Sequence, residues 1–202
     1  PVVERDPTGA RRTTTAKDQH RGTPQGAPIS PLLANLYFRR FMLAWYRHGY
    51  AQTHQAEVVN YADDLVILCP PGTGEAALAD MRHLMRRLGL TVNEQKTRLV
   101  RLPEERFDFL GYTIGQFYGK DGRSFIGIKP SKKATHRLRR RIHDETSRRW
   151  DCLLPQERIP VLNSILRGWC GYFNHGHVLP TYRVLRRYTE QRLRRWLMRR
   201  EK

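Results

Sequence analysis

Two adjacent aspartates, Asp63 and Asp64, sit between the β-rich apolar runs Val58-Val59 and Leu65-Val66-Ile67-Leu68. Aspartate is common in turns, so turn chemistry is one reading of the pair. A plain two-residue turn, however, favours Asn-Gly or Asp-Gly. Asp-Asp instead places two like charges side by side, a cost that a bound cation offsets. Carboxylates are hard oxygen ligands suited to Mg²⁺, which takes one or two of them together with substrate phosphates. Phosphoryl-transfer sites often use two such ions about 4 Å apart, at the attacking and leaving oxygens. The pair therefore points to a nucleotidyl transferase or a nuclease, with the plain turn as the alternative.

The charge of the chain suits a polyanionic substrate. The 202 residues carry 37 Lys and Arg against 19 Asp and Glu, a formal net charge of +18. Residues 1–128 hold 17 basic and 13 acidic side chains, a net of +4, whereas residues 129–202 hold 20 and 6, a net of +14. An excess of that density needs a polyanion, and nucleic-acid backbones are the commonest one. An anionic membrane surface fits less well, because the aromatics recur at core-like periods rather than on one exposed stripe. With 39% hydrophobic and 10% aromatic residues, the chain has the material for a core. The longest apolar run, from Leu65 to Cys69, is far below the roughly 18 residues of a spanning helix, so no membrane partner is expected. Cys69, Cys152 and Cys170 are odd in number and form no CxxC pair, which suits a reducing, cytoplasmic setting. No charged-then-apolar leader opens the chain, so secretion is not expected, and the first residue, Pro1, suggests a piece of something longer.

The elements that must position the aspartates follow from periodicity. Residues 1–21 read as loop or irregular strands, and the Gly- and Pro-dense stretch 22–31 as a rigid turn. Ser30-Pro31 predicts a helix start, with the helix over 31–46. Residues 57–61 and 65–68 predict a hairpin with the two acids at its bend, closed off by Pro70-Pro71-Gly72. Leu78, Met81, Leu84, Met85 and Leu88 form a helical stripe ended by Gly89. Short strands are expected near 91–92, 97–101, 107–114 and 125–128. From Ser131, a helix cap, the pattern is helical: 131–150, 155–173 and 181–200. In the last of these, Tyr182, Leu185, Tyr188, Leu193, Trp196 and Leu197 share one side of the wheel, and Arg183, Arg187 and Arg194 cluster on the other. The class is α+β, in two units joined near Lys129-Pro130-Ser131.

Those residues carry a resemblance. Tyr61-Ala62-Asp63-Asp64 resembles the signature motif of reverse transcriptases. Gly22-Thr23-Pro24-Gln25-Gly26, followed by Ser30-Pro31-Leu32-Leu33-Ala34-Asn35-Leu36-Tyr37, resembles the preceding palm block. Leu88-Gly89-Leu90-Thr91-Val92-Asn93-Glu94-Gln95-Lys96-Thr97 and Phe107-Asp108-Phe109-Leu110-Gly111-Tyr112 resemble the two blocks that follow, in the same order. In the helical unit, Leu162-Asn163, Leu166-Arg167-Gly168-Trp169, Tyr172-Phe173 and Arg192-Leu193-Arg194-Arg195-Trp196-Leu197 resemble the maturase-specific, or thumb, domain of group II intron proteins. The resemblance covers about residues 20–200. It implies a partial right-hand polymerase palm over 1–128 and a basic α-helical thumb bundle over 129–202.

The resemblance implies RNA-directed DNA synthesis with Mg²⁺ as cofactor, and a maturase role in intron splicing and mobility. Its partners would be an intron RNA template, a DNA primer or target, and deoxynucleoside triphosphates. Asp63 would be a ligand of the catalytic Mg²⁺ and Asp64 its supporting acid. Tyr61 would lie near the primer terminus, and Ala62 would keep the approach open. Gln25, with the backbone of the block containing Gly22, Pro24 and Gly26, would position template and incoming nucleotide. Lys96 would face the leaving phosphates as charge neutraliser or acid. In a binding role, Arg137, Arg139, Arg140, Arg141, Arg148, Arg149, Arg167 and Arg194 would contact RNA phosphates, while Trp169, Tyr172, Phe107 and Phe109 would be core. The family's palm carries another metal-binding Asp upstream of the Gln25 block. Asp6 and Asp18 lie in polar sequence without a β-run, and neither fits that role. Little or no polymerase activity is therefore expected of this chain alone, and a separate N-terminal palm and fingers segment is the expected partner. The alternatives are a non-catalytic RNA-binding splicing cofactor and a truncated remnant. No Cys- and His-rich endonuclease tail is expected, and His175, His177 and Cys170 do not supply the four paired ligands of a tetrahedral site.

Overall fold

A computed structural model describes residues 28–119 and 121–200, together with the backbone of two short paired strands, β1 (Glu4–Arg5) and β2 (Arg11–Arg12). The chain divides into two compact units, one ending at Thr97 and the other beginning at Arg98. That division falls earlier than the compositional break at 128/129, because the strands after residue 98 fold with the helices that follow them.

In the first unit, helix α1 (Ile29–Arg47) starts two residues before the expected 31, with Pro28 at its cap, so Ser30 lies inside the first turn. A single turn, α2 (Tyr50–Thr53), follows the left-handed Gly49. Strands β3 (Glu57–Tyr61) and β4 (Asp64–Leu68) form an antiparallel hairpin, and α3 (Gly74–Arg87) closes the layer. Phe41 and Trp45 of α1 are fully buried against Val58 of β3 and Ala77, Met81, Leu84 and Met85 of α3. Each of the larger side chains among them contributes roughly 1.5–3 kcal/mol of burial. Leu65, Ile67, Leu88, Leu90 and Val92 pack around that cluster. Buried His54 closes it from the side, its Nε2 lying 2.7 Å from Asp80 Oδ2 on α3. The segments 91–92 and 97–101, expected as strands, are irregular.

The second unit opens with an antiparallel meander of β5 (Phe107–Phe109), β6 (Tyr112–Tyr118) and β7 (Ser124–Pro130). Residues 107–114, expected as one strand, are instead a hairpin. Phe109 pairs with Tyr112 across Leu110-Gly111, and both turn residues have positive φ (+49° and +81°). A two-residue hairpin turn with positive φ at both positions twists with its strands, and glycine is the residue that takes the second position without strain. Phe107 and Phe109 are half-buried rather than core. Helix α4 (Lys132–Glu145) begins at Ser131, whose Oγ accepts the Ala134 N–H at 3.1 Å, as the sequence predicts. A 3₁₀ turn (Arg148–Trp150) separates it from α5 (Pro155–Tyr172), so the expected 131–150 helix is broken at Thr146. The Leu154 N–H donates to Glu157 Oε2 at 2.8 Å, fixing the start of α5. Helix α6 (Leu179–Arg200) completes the bundle, and Leu138, Ile142 and Leu185 form its core with Ile165, Leu166, Trp169 and Tyr188 packed on it. Gly176, at φ +77°, brings the loop before α6 so close to β7 that a Cβ there would collide with the Ile128 carbonyl.

Candidate active site and nucleic-acid interface

Both acids were expected at the bend, but only Asp63 lies there, and Asp64 is the first residue of β4. Tyr61 pairs with Asp64, leaving Ala62-Asp63 as a two-residue bend with Ala62 at φ +51°. A left-handed alanine costs roughly 1–2 kcal/mol, so something must hold it there. Asn60 does so: its side-chain amide donates to the Ala62 carbonyl at 2.9 Å and to the Asp64 carbonyl at 3.3 Å. This brace was not read from the sequence; the signal that could have found it is an amide residue immediately before a turn. Ala62, Asp63 and Asp64 are exposed, and Tyr61 is 64% exposed. Beneath them Val58, Leu65 and Ile67 anchor both strands in the core, so the bend rests on a rigid base. Two exposed carboxylates on neighbouring residues, with no side-chain partner among the described residues, are an oxygen donor set that fits Mg²⁺ as part of its shell. Among the described residues, no group of three or more His, Cys, Asp or Glu side chains converges as a metal site.

Lys96 sits in a turn built by its neighbours. The Asn93 carbonyl accepts the N–H groups of Lys96 (3.1 Å) and Thr97 (2.9 Å), and Asn93 Oδ1 accepts that of Gln95 (3.2 Å). Glu94 in the same turn takes two bonds from Arg82 of α3, 3.1 Å from Nε and 2.6 Å from Nη2. That bond to Glu94 holds the Arg82 guanidinium above its ordinary pKa. Lys96 itself is exposed, and Val92, four residues before it, packs on the core that carries the hairpin. Gly22, Pro24, Gln25 and Gly26 lie outside the described residues.

The second unit separates its arginines into two groups that composition does not distinguish. Arg137, Arg140, Arg148, Arg167 and Arg194 are exposed and, among the described residues, have no acidic partner. Arg139 lies over the Tyr188 ring at 4.5 Å, Arg149 over Trp150 at 4.8 Å, and Arg141 pairs with Glu145 at 2.9 Å. Other arginines, not named as RNA contacts from the sequence, work inside the fold. Arg192 donates to Thr146 Oγ1 (3.0 Å) and to the carbonyls of Thr146 (3.1 Å) and His143 (3.2 Å). Arg199 binds Asp151 and the Thr146 carbonyl, and Arg200 the Asp151 carbonyl. Buried Arg158 pairs with buried Glu145 and lies 3.9 Å over Trp150. Its pKa is lowered by burial and, secondarily, by Arg141.

The remaining sequence candidates have structural partners. Trp169 is half-buried against the bundle core. Tyr172 is exposed, and its hydroxyl donates to the Leu110 carbonyl at 2.9 Å. His177 stacks on Phe117 with ring centres 6.4 Å apart. No helix among the described residues is long and apolar enough to cross a membrane.

Two family models match the chain. Residues 8–114 match the family model described as reverse transcriptase (RNA-dependent DNA polymerase). Residues 135–202 match that of the group II intron maturase-specific domain. A search of curated proteins gave no match. The chain belongs to the reverse transcriptase family and, carrying the maturase-specific domain, is a group II intron reverse transcriptase/maturase.

Proposed function

We propose that this chain supplies the catalytic hairpin and the thumb of an RNA-directed DNA polymerase that also binds its intron RNA as a maturase. The observation that carries this reading is the bend at Ala62-Asp63. It presents two adjacent carboxylates to solvent, within a span matching the reverse transcriptase model, on a hairpin anchored by its own core. The first unit is then part of a polymerase palm, and the helices after Ser131 are its thumb.

The resident ion would be Mg²⁺, held by Asp63 and Asp64, and it would supply charge neutralisation at the attacking and leaving oxygens of nucleotidyl transfer. The chain's own residues do the positioning. Asn60 fixes the backbone of the bend so that both carboxylates stay on one tip. Ala62 presents no side chain beyond its Cβ, which leaves the tip open, and exposed Tyr61 offers a ring for the sugar or base at a primer end. Lys96 stands on a turn tied to α3 by the Arg82–Glu94 pair and faces the leaving phosphates as a cation. Gln25 and the backbone around Gly22, Pro24 and Gly26 position template and nucleotide.

Asp63 and Asp64 are a partial ligand set, so synthesis requires a further carboxylate brought to the bend. Primer extension on an RNA template with Mg²⁺ tests this, using the chain alone and then with a family fingers and upstream-palm segment. The expected result is little or no product alone and synthesis on addition, abolished by Asp63→Asn while RNA affinity is retained. Loss of RNA binding in Asp63→Asn overturns this division of labour.

The exposed arginines of α4, α5 and α6 that have no acidic partner among the described residues, such as Arg137, Arg140, Arg167 and Arg194, favour a second reading, an RNA-binding splicing cofactor without chemistry. Silence in both extension assays, with salt-sensitive RNA binding intact, selects it.

A further inference from the structure

Helix α1 carries a second apolar face that the core of its unit does not use. Phe38, Phe41 and Trp45 turn inward onto that core. At about 100° per residue, Ile29, Leu32, Leu36 and Leu43 fall within about 60° of one another on nearly the opposite side. Their exposure runs from 37% for Leu43 to 66% for Leu32, and exposed Tyr46 borders them. Exposed apolar residues scattered singly are ordinary, but a contiguous stripe of them marks a contact surface. A helix that is apolar on both sides is built to be covered on both.

We propose that this stripe is a docking seam for an amphipathic helix of a separate protein, one whose own apolar stripe is flanked by aspartate or glutamate. Spacing argues for a helix. Ile29, Leu32, Leu36, Leu43 and Tyr46 keep the alternating three- and four-residue steps of a coiled-coil seam, interrupted only at Arg39. So narrow a stripe fits one helix, whereas a helix lying on a membrane buries a broader face. Charge argues for acidic flanks. Residues 29–47 include Arg39, Arg40 and Arg47 and no Asp or Glu. All three arginines are exposed, and among the described residues none has an acidic partner. On the wheel, Arg39 and Arg40 stand on either side of the leucines, where a partner's flanking carboxylates reach them. The same charges disfavour a second copy of this chain, since two α1 helices would face each other with three arginines apiece and no carboxylate. The aliphatic middle of the seam likewise offers a phosphate backbone no donor. From Ile29 to Tyr46 the seam is about 25 Å long, the length of a partner helix of about three heptads. No nucleic acid takes part, so the proposal does not depend on the polymerase reading above.

The test is fluorescence anisotropy of the full chain with a labelled synthetic helical peptide of about three heptads, leucine at a and d and glutamate at the flanking e and g positions. Two control peptides separate the two parts of the proposal: one has glutamine in place of glutamate, and the other has the residues of the first in scrambled order. The glutamate-flanked peptide should bind about tenfold tighter than either, or more, at about 150 mM salt. Leu36→Ser with Leu43→Ser removes two leucines from the seam and should weaken that peptide by about tenfold or more. Arg39→Gln with Arg40→Gln should bring it down to the level of the glutamine peptide. Because all four side chains are exposed, the unfolding curves of both variants should stay close to that of the unmutated chain. Equal binding of the ordered and scrambled peptides means that net charge alone attracts them, and it overturns the seam. Unchanged binding by the leucine variant does the same. Self-association in sedimentation velocity that the leucine variant loses shows that a second copy covers the face. Co-sedimentation with phosphatidylserine vesicles that this variant loses shows a membrane instead, and either result overturns the helical partner. Displacement of the peptide by the fingers and upstream-palm segment used above shows that the polymerase's own remainder covers the seam, and it overturns a separate partner; peptide retained beside that segment supports one. A silent primer-extension assay changes none of these readouts, so failure of the polymerase reading stays distinct.

Discussion

Arg192 looks, in sequence, like one more cation in a basic helix, and replacing it by methionine is predicted to cost stability rather than RNA affinity. Its guanidinium spans the end of α4, where carbonyls lack helical partners. It donates to the buried Thr146 hydroxyl at 3.0 Å, to the Thr146 carbonyl at 3.1 Å and to the His143 carbonyl at 3.2 Å. Hydrogen bonds to charged groups contribute roughly 1.5–3 kcal/mol each. The full sum is not lost, because Arg199 still reaches the Thr146 carbonyl at 3.0 Å and the Thr146 N–H still reaches the His143 carbonyl at 3.2 Å. The Thr146 hydroxyl also keeps its own bond to the Ile142 carbonyl at 2.8 Å. About 3 kcal/mol is the expected net cost.

For a chain of this length, 1 kcal/mol moves Tm by roughly 2–4 °C, so Arg192→Met should lower the transition of the second unit by about 10 °C. Lysine should not rescue it, since an ammonium cannot span three acceptors as a planar fork does. Circular dichroism melting gives the Tm, and anisotropy with labelled RNA well below the transition gives affinity, expected within about fourfold of the unmutated chain. An unchanged Tm together with a salt slope reduced by about 0.7–0.9 would refute the reasoning and return Arg192 to the phosphate contacts.

Other perturbations test other parts of the structure. Ala62→Val should destabilise the first unit by about 1–2 kcal/mol in urea unfolding, because a β-branched side chain at φ +51° is strained, while Ala62→Gly should be neutral or stabilising; equal stability of the valine variant contradicts the bend geometry. Burial, aided by Cys170, holds the Tyr182 phenol above its ordinary pKa of about 10, and its hydroxyl lies 2.6 Å from the Phe173 carbonyl. Above that pH the unfolded chain ionises while the folded one keeps its proton, so stability present at lower pH is lost as pH rises toward the raised folded value. Tyr182→Phe should accordingly be less stable at neutral pH by about 1 kcal/mol yet lose less above about pH 10, and parallel pH profiles would contradict this. Arg158→Met alone should cost about 3–5 kcal/mol by leaving Glu145 buried beside exposed Arg141 only, whereas adding Glu145→Leu should recover most of it. A double variant no more stable than the single one would show that the pair is not the source of the loss.

Much of the β3–β4 hairpin was legible because local and tertiary signals agree there. The β-branched runs mark both strands, but the bend is one residue shorter than expected, because Asp64 pairs with Tyr61 as the first residue of β4. Ser131 was legible as a cap for a similar reason: it stands where periodicity changes and α4 begins. The expectation failed where a local rule competes with a less common one. Phe107-Asp108-Phe109-Leu110-Gly111-Tyr112 reads as a continuous apolar strand, yet the chain reverses at Leu110-Gly111 because both residues take positive φ, which leucine seldom does. Residues 97–101 carry β-branched and apolar side chains but find no strand partner among the described residues, and strand propensity without a partner is not a strand. Asn60 was missed because its role is a backbone brace, visible only once the turn exists.

The arginines show most sharply what composition conceals. Arg192 and Arg194 are two positions apart on α6, yet one grips the end of α4 and the other faces solvent. An α-helix turns 100° per residue, so positions two apart lie on opposite sides, and the distinction was latent in the helical wheel. What the wheel could not supply is the target: the carbonyls that Arg192, Arg199 and Arg200 bind exist only because α4 stops at Glu145 and the 3₁₀ turn carries Asp151 back toward α6. A helix C-terminus is electronegative, and a guanidinium is the side chain that can satisfy several of its carbonyls at once. The +14 balance of residues 129–202 is therefore not a count of phosphate contacts. Part of it is bonded to carbonyls and carboxylates within the fold, so the salt slope of RNA binding should fall short of the charge total by that part. The same partition explains why one domain can be strongly basic and still fold: its arginines are divided between carbonyls and carboxylates inside and, on the reading developed above, phosphates outside.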